Sequence, residues 1–194
     1  MILTPEFFNR PTLEICPELL GKFLVRSVGS KQLSGMVTEV EAYVGMEDKA
    51  CHAAKGKTPR NSTLFEEAGH WYVYLCYGMY WMLNIVTEQK DFPAAILIRG
   101  IHLDAPLDAG RSDEKHLNGP GKLTKNLGID KKFNRKLATP QTGLWFEDRG
   151  IQIPTQQIKQ GKRIGINYAG AWKHKPWRFY LTFVHKSQTI MEYV

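Results

Sequence analysis

The sequence predicts a mixed α+β fold, a single domain built on a curved antiparallel sheet. Three observations carry that prediction. Apolar and polar residues alternate with period two in several short runs, most clearly at Leu33–Val44, Trp71–Leu75 and Trp81–Ile85. Helix signals are few and short. Across the 194 residues there is no repeat, low-complexity tract or Pro/Ser-rich linker, so residues 1–194 read as one domain with one substantial core.

The elements follow in order. Thr4-Pro5-Glu6 is a helix start, with Thr as N-cap and Pro at the first helical position. A second short helix is predicted within Thr12–Leu20, ending at Gly21 and kinked or restarted at Pro17. Lys22–Val28 reads as a strand. In the longer strand Leu33–Val44, strict alternation places Met36, Thr38, Val40, Ala42 and Val44 on one mostly apolar face. Val37, Glu39, Glu41 and Tyr43 fall on the other. Gly45–Ser62 is polar and reads as a loop. A hairpin over 70–87 and a strand at Ala94–Ile101 complete the first sheet. Asn118-Gly119-Pro120-Gly121 is a turn opening a short helix that ends near Leu127. Gly143–Ile153, Lys162–Asn167 and Trp177–Val184 read as further strands, giving many strands with short flanking helices.

The hairpin is the most informative of these. Eleven residues, Trp71–Trp81, hold six Tyr and Trp side chains around a single glycine, Gly78. Most aromatics in strands are core residues or cross-strand pairs. That does not account for Tyr77 and Met79 at the tip, where polar turn residues are expected. An apolar wedge on a stiff hairpin is a device for pushing between stacked bases.

Charge points the same way. The net charge is +7 and is unevenly placed: residues 1–100 carry 10 Lys/Arg against 11 Asp/Glu, and residues 101–194 carry 16 against 8. Within 115–136 stand Lys115, Lys122, Lys125, Lys131, Lys132, Arg135 and Lys136 against the single acid Asp130. A charge run is often only a solvated face, but beside an aromatic wedge it indicates a partner with an anionic backbone. No apolar run approaches the ~18 residues of a membrane span, and MILTPEFF lacks the pattern of a secretion signal. The three cysteines, Cys16, Cys51 and Cys76, form no CxxC pair and read as reduced thiols of a cytosolic protein. Cys51-His52 has no second cluster with which to bind a metal.

Glu39, Glu41 and Tyr43 share one strand face. Charge there is usually the wet side of a half-buried sheet. A carboxylate beside a Tyr, followed by His52 and then aromatic strands, is suited to different work. It can activate water next to a sugar carbon while flat faces hold a ring. Two carboxylates on one strand face do not flank a scissile bond from opposite sides, which weighs against a two-acid glycosidase. Asn84 and Arg99 each interrupt an apolar stretch (WMLNIV, AAILIRGI), so each needs a polar partner. For Asn84 that partner is a backbone edge or a ligand. For Arg99 it is Glu39, Glu41 or a phosphate.

Taken together, VTEVEAYVGMEDKACHAAKGKTPRN, WYVYLCYGMYWMLNIV, AAILIRG, LNGPGKL, WFEDRG, RIGI and KPWRFY resemble, in order, the alkyladenine (3-methyladenine) DNA glycosylase family. The likeness runs from about residue 5 to about residue 181. It implies a single mixed domain with a curved, partly open antiparallel sheet or barrel and a protruding, DNA-inserting hairpin. It implies an enzyme that flips alkylated or deaminated purines out of duplex DNA and hydrolyses the N-glycosidic bond without metal or organic cofactor. By position, Glu41 corresponds to the general base, Tyr43, His52 and Tyr74 to the base-stacking residues, and Tyr77, with Met79 beside it, to the intercalating tip. Asn84 matches the asparagine that helps exclude undamaged purines, and Arg99 an arginine near the flipped nucleotide's backbone. Lys122, after the NGPG turn, would hold a phosphate. No lysine falls at the matched catalytic positions, so strand nicking is not expected. Tyr168, in NYAG, stands where some relatives carry His, and the segment between Arg99 and Gly119 is shorter than in vertebrate members.

Two other functions compete. A non-catalytic damaged-DNA-binding protein would share the cage and hairpin but would not need Glu41. An RNA-binding module would use the aromatics as a stacking platform, yet the charge is modest and no RNP-like motif is present. The expected partner is double-stranded DNA containing damaged purines. A monomer is expected, with no membrane association and no obligatory protein partner. Localisation would be cytoplasmic in a bacterium, on the nucleoid, and nuclear in a eukaryote.

Overall fold

One long strand runs through the middle of the molecule, and most other strands are tied to it. The computed structural model describes residues 1–104 and 116–182. Lys115 and the last two residues of the strand expected at Trp177–Val184 lie outside the described residues. In chain order the elements are α1 (Pro5–Phe8), α2 (Thr12–Leu19), β1 (Phe23–Val28), β2 (Lys31–Val44), β3 (Trp71–Cys76), β4 (Tyr80–Val86), β5 (Ala94–Leu103), β6 (His116–Asn118), α3 (Pro120–Asn126), β7 (Leu144–Glu147), β8 (Ile158–Gly161) and β9 (Arg178–Leu181). Short 3₁₀ turns lie between them, among them His52–Lys55, Ser62–Phe65 and Asn167–His174.

The described strands form a nine-stranded antiparallel sheet in the order β3-β4-β5-β2-β1-β7, with β6 added to β5 and the β8–β9 pair joined to β2. The sheet does not close into a barrel. Strand β2 pairs with β5 along one edge; on the other it pairs first with β1 (Lys31–Met36) and then with β9 (Glu39–Glu41).

One face of the sheet is covered by the helices. Ile15, Cys16 and Leu19 of α2 and Leu123 of α3 pack with Val37, Val40, Ala42, Trp71, Val73, Leu83, Ile85, Ile96 and Ile98 in the main core. Each such large apolar side chain taken fully out of water contributes roughly 1.5–3 kcal/mol. Trp71 also donates its indole N–H to the Leu144 carbonyl at 3.0 Å, so the largest buried ring carries no unmet donor. No described helix is long and apolar enough to cross a membrane.

The alternation expected across Leu33–Val44 breaks once. The β2–β5 register shifts between Val37 and Glu39 and shifts back between Glu39 and Val40, leaving Thr38 on β2 and Arg99 on β5 as the extra residues. This bulge puts Val37 in the main core with Val40 and Ala42, while Met36 packs on the opposite side with Phe23, Val25 and Trp145. Glu39, between the two shifts, and Glu41 and Tyr43 beyond them keep their common face. Beyond β2 the second half of the chain is less extended than expected. Only Leu144–Glu147 of Gly143–Ile153 is strand. Lys162–Asn167 is not strand, and the neighbouring residues Ile158–Gly161 form β8 instead.

The outer edge of β3 is covered by the basic segment. Trp71 N donates to Lys136 O at 2.8 Å, Arg135 N to Trp71 O at 2.9 Å, and Ala138 N to Gly69 O at 2.8 Å. An otherwise open strand edge is thereby paired, and Lys131–Lys136 is laid beside the hairpin.

Candidate active site

On the face of the sheet opposite the main core, Tyr72 and Tyr74 of β3, Met82 and Asn84 of β4, Leu97 and Arg99 of β5 and Tyr43 of β2 line a cavity of about 460 Å³. Period-two alternation explains this sharing: the same strands send Trp71, Val73, Leu83 and Ile85 into the core. The cavity is completed by Ala50, Cys51 and His52, by Arg60 and Leu64, and by Ile164–Ile166 and Tyr168 on the far rim. Tyr77 of the hairpin tip and Pro120 at the start of α3 also line it.

Glu41 is fully buried, immediately behind the lining, and is itself absent from the cavity wall. Its Oε2 accepts from the Tyr43 hydroxyl at 2.9 Å and from Arg99 at 3.4 Å; its Oε1 accepts from the Ile164 backbone N–H at 2.8 Å. All three donors line the cavity. Burial pushes the Glu41 carboxyl above the usual range, while Arg99, the Ile164 N–H and the Tyr43 hydroxyl oppose that displacement. The result is a carboxylate of raised basicity with its position over-determined.

Arg99 is paired with both glutamates rather than free in the cavity: Nε donates to Glu39 at 3.1 Å and Nη1 to Glu41 at 3.4 Å, with Arg178 adding a 3.0 Å bond to Glu39. Alternation along β5 places Arg99 on the face of Leu97, toward the glutamates, while Ile96 and Ile98 enter the core.

The aromatic wall is set by contact between rings. His52 and Tyr74 lie 4.5 Å apart centroid to centroid, and Tyr72 and Tyr74 5.2 Å. His52 Nδ1 is 2.8 Å from the Tyr72 hydroxyl, so Nε2 is the ring nitrogen left for a ligand. Desolvation, reinforced by the Arg60 charge, lowers the His52 pKa and keeps the imidazole neutral. Burial raises the pKa of Tyr43, Tyr72 and Tyr74, which stay phenols. It also pushes the Cys51 thiol up to about 11, which removes it as a nucleophile near neutral pH. Asn84, buried, spends its amide nitrogen on the carbonyls of Tyr72 and Met82 at 3.0 and 3.4 Å. Both partners that its sequence context left open are therefore compatible with its place: it bonds to the backbone edge and lines the cavity.

The hairpin tip is a three-residue turn, Tyr77-Gly78-Met79, with Tyr77 at φ 50° and Gly78 at φ 69°. Tyr77 is 83% exposed and Met79 67%. Helix α3 braces it from behind, with Thr124 donating to the Trp81 carbonyl at 2.9 Å. A Cβ on Gly121 would fall 2.8 Å from Tyr80, so only glycine allows that approach. Lys122 follows on the same helix.

Several contributors have no signature that a reading by residue type would find. The Ile164 N–H is a backbone group. Tyr72 reads as one more strand aromatic. Arg163 and Asp48, which form a fully buried bidentate pair behind Tyr43, are far apart in sequence. Among the described residues no group of three or more His, Cys, Asp or Glu is placed to hold a metal ion.

Comparison with known proteins gives a consistent result. Residues 6–184 match the family described as methylpurine-DNA glycosylase. Relatives bearing the name "Putative 3-methyladenine DNA glycosylase" include one from Wolbachia pipientis subsp. Culex pipiens, 53% identical over 178 residues (92% of this chain and 88% of the relative). One from Methanocella arvoryzae is 42% identical over 186 residues, covering 92% of each chain. Another from Clostridium perfringens is 39% identical over 199 residues, covering 93% and 96%.

Proposed function

The chain belongs to the methylpurine-DNA glycosylase family, whose members are DNA repair glycosylases, and from that premise we propose that it flips alkylated or deaminated purines from duplex DNA and hydrolyses their N-glycosidic bond with water activated by Glu41. The product is a free base and an abasic site. The substrates of this reading are purines of the 3-methyladenine, 7-methylguanine, hypoxanthine and ethenoadenine class.

Glu41 carries the reading. A fully buried carboxylate of raised pKa, held by three donors that all line an aromatic cavity, suits a general base. Its negative charge also stabilises the oxocarbenium character that the sugar gains as the bond breaks. Tyr77, exposed at the tip of a rigid hairpin, fills the gap that an extruded base leaves. Tyr43, His52 and Tyr74 sandwich the flipped ring. A purine alkylated at N3 or N7 is cationic, gains cation–π attraction from the Tyr faces, and leaves as a neutral base with little acid assistance. Neutral hypoxanthine needs a hydrogen bond at its purine edge, and His52 Nε2, with Nδ1 engaged by Tyr72, supplies it in this reading. Asn84 acts as a size and edge filter, and Arg99 holds Glu41 in the productive orientation. Lys122, two residues from Pro120 of the cavity lining, meets the phosphate of the damaged strand. Among the described residues no lysine lines the cavity, which supports hydrolysis without a Schiff base and without strand nicking.

The test is base release from duplexes carrying a single hypoxanthine or 1,N6-ethenoadenine, with 7-methylguanine DNA in parallel, for wild type and Glu41→Gln. The expected result is release by wild type and a fall of about 10²-fold or more in Glu41→Gln, with duplex binding retained. Binding of the lesions without release by wild type would overturn the enzymatic reading in favour of a damage-binding protein.

A further inference from the structure

Tyr43 and Glu41 reach the site from β2, His52 from the turn after it, and Ile164 from the loop after β8. One buried ion pair touches all of these pieces. Arg163 Nη1 donates to Asp48 at 2.6 Å and Nη2 at 2.8 Å, and both side chains are fully buried. Nη1 also donates at 2.9 Å to the carbonyl of Ala42, the residue between Glu41 and Tyr43. Nη2 reaches the Trp172 carbonyl at 3.3 Å. The guanidinium lies 4.9 Å from the Tyr43 ring centroid and 5.1 Å from that of Trp177. Tyr43 lines the cavity and Arg163 does not, so the guanidinium backs the ring on the side away from a bound base. Asp48 in turn accepts from the backbone of Val44 at 3.3 Å and of Ala50 at 3.0 Å, which ties down the turn leading to Cys51-His52.

We propose that Arg163, clamped by Asp48, is the positioning residue of this site: it sets the plane of Tyr43 and, through the N–H of the adjoining Ile164, the orientation of the Glu41 carboxylate. The inference rests on the reading of Glu41 as the general base. Only the planar guanidinium fork can bond a carboxylate bidentately, donate to two carbonyls and stack on a ring at once. The Asp48 carboxylate neutralises it, so Tyr43 is braced without presenting a net positive charge to a cationic base. Neither residue touches substrate. Their contribution is geometric, and small displacements of reacting groups carry large rate penalties.

Arg163→Lys keeps the charge and loses the fork. Two measurements on the full chain test the proposal: single-turnover base release as a function of enzyme concentration, and ¹³C NMR titration of the Glu41 carboxyl without DNA. In Arg163→Lys the maximal rate is expected to fall by about tenfold or more while the half-saturating concentration stays within about threefold of wild type. The Glu41 carboxyl is expected to titrate at higher pH, because a loosened Ile164 N–H no longer favours its charged form. An unmoved Glu41 titration would overturn the proposal whatever happens to the rate, since a merely structural role lowers stability without touching that equilibrium. Should Arg163→Lys not fold, Arg163→Gln combined with Asp48→Asn removes the clamp without leaving an unpaired charge beside Glu41 and is read by the same two measurements, with the same outcomes. Failure of wild type to release any base would instead overturn the function, and the titration would still decide the positioning role.

Discussion

Glu41 is a buried acid whose compensation is incomplete, and that has a consequence for stability. Its folded-state pKa is raised chiefly by burial, so the folded protein keeps this proton to higher pH than the unfolded chain does. Unfolding therefore releases a proton in the window between the ordinary Glu value and the raised folded one. The contribution of the protonated group is fully present below that window and is lost as pH rises through the folded pKa. Glu41→Gln cannot ionise and lacks this slope. The melting temperature of Glu41→Gln relative to wild type is expected to rise with pH above the ordinary Glu value and to level off once the folded carboxyl has ionised, measured by thermal scans at fixed ionic strength. A difference that is flat or shrinks with pH would contradict the burial argument. An active site that costs stability is what a preorganised base requires.

At the level of the element, the hairpin separates its anchor from its working end. Trp71, Val73, Leu83 and Ile85 fix β3 and β4 in the core, and the turn at Tyr77-Gly78 holds positive φ at both residues. Two apolar side chains are thus displayed in water by a rigid support, which is unfavourable in the free protein and useful only against a partner. Base–aromatic stacking is worth about 1–3 kcal/mol. Tyr77→Ala is therefore expected to weaken affinity for a lesion duplex by about 5- to 150-fold, read by fluorescence anisotropy, with the melting temperature unchanged because the side chain packs on nothing in the core. A Tyr77→Ala variant that binds lesion duplex like wild type would remove the tip from the binding mode. The bulge at Thr38 and Arg99 restores the β2–β5 register beyond it while reversing which residues face the core, so that Val37 and Val40 on β2 and Ile98 and Ile101 on β5 point inward three residues apart.

For the whole molecule, charge is distributed by the fold as well as by the sequence. The basic excess lies in the second half of the chain, yet backbone bonds from 135–138 to 69–71 bring part of it beside the hairpin. Lys131 and Lys136 are exposed there. Each phosphate contact steepens the fall of log affinity with log salt by about 0.9. Lys131→Gln with Lys136→Gln is expected to flatten that slope by about 1–2, measured on lesion and undamaged duplex alike, and to leave the saturated rate of base release unaltered. An unchanged slope would place the DNA elsewhere.

Much of this is legible in the order of residues. The hairpin, the exposed aromatic tip and the common face of Glu41 and Tyr43 follow from period-two alternation, which a sheet buried on one side imposes on any sequence that forms it. The motif EVEAY with its downstream aromatics also identifies the family. Alternation cannot register a bulge, so the placement of Met36 and Val37 depends on how β5 pairs with β2. Lys162–Asn167 reads as strand but forms a rim loop, because a few apolar residues in a short run do not distinguish the two. The burial of Glu41, its bond to a backbone N–H 123 residues away, and the Arg163–Asp48 clamp across 115 residues are decided only by the tertiary structure. Residue type records what a group can do; proximity and dehydration decide whether it does it, and both exist only once distant segments have packed.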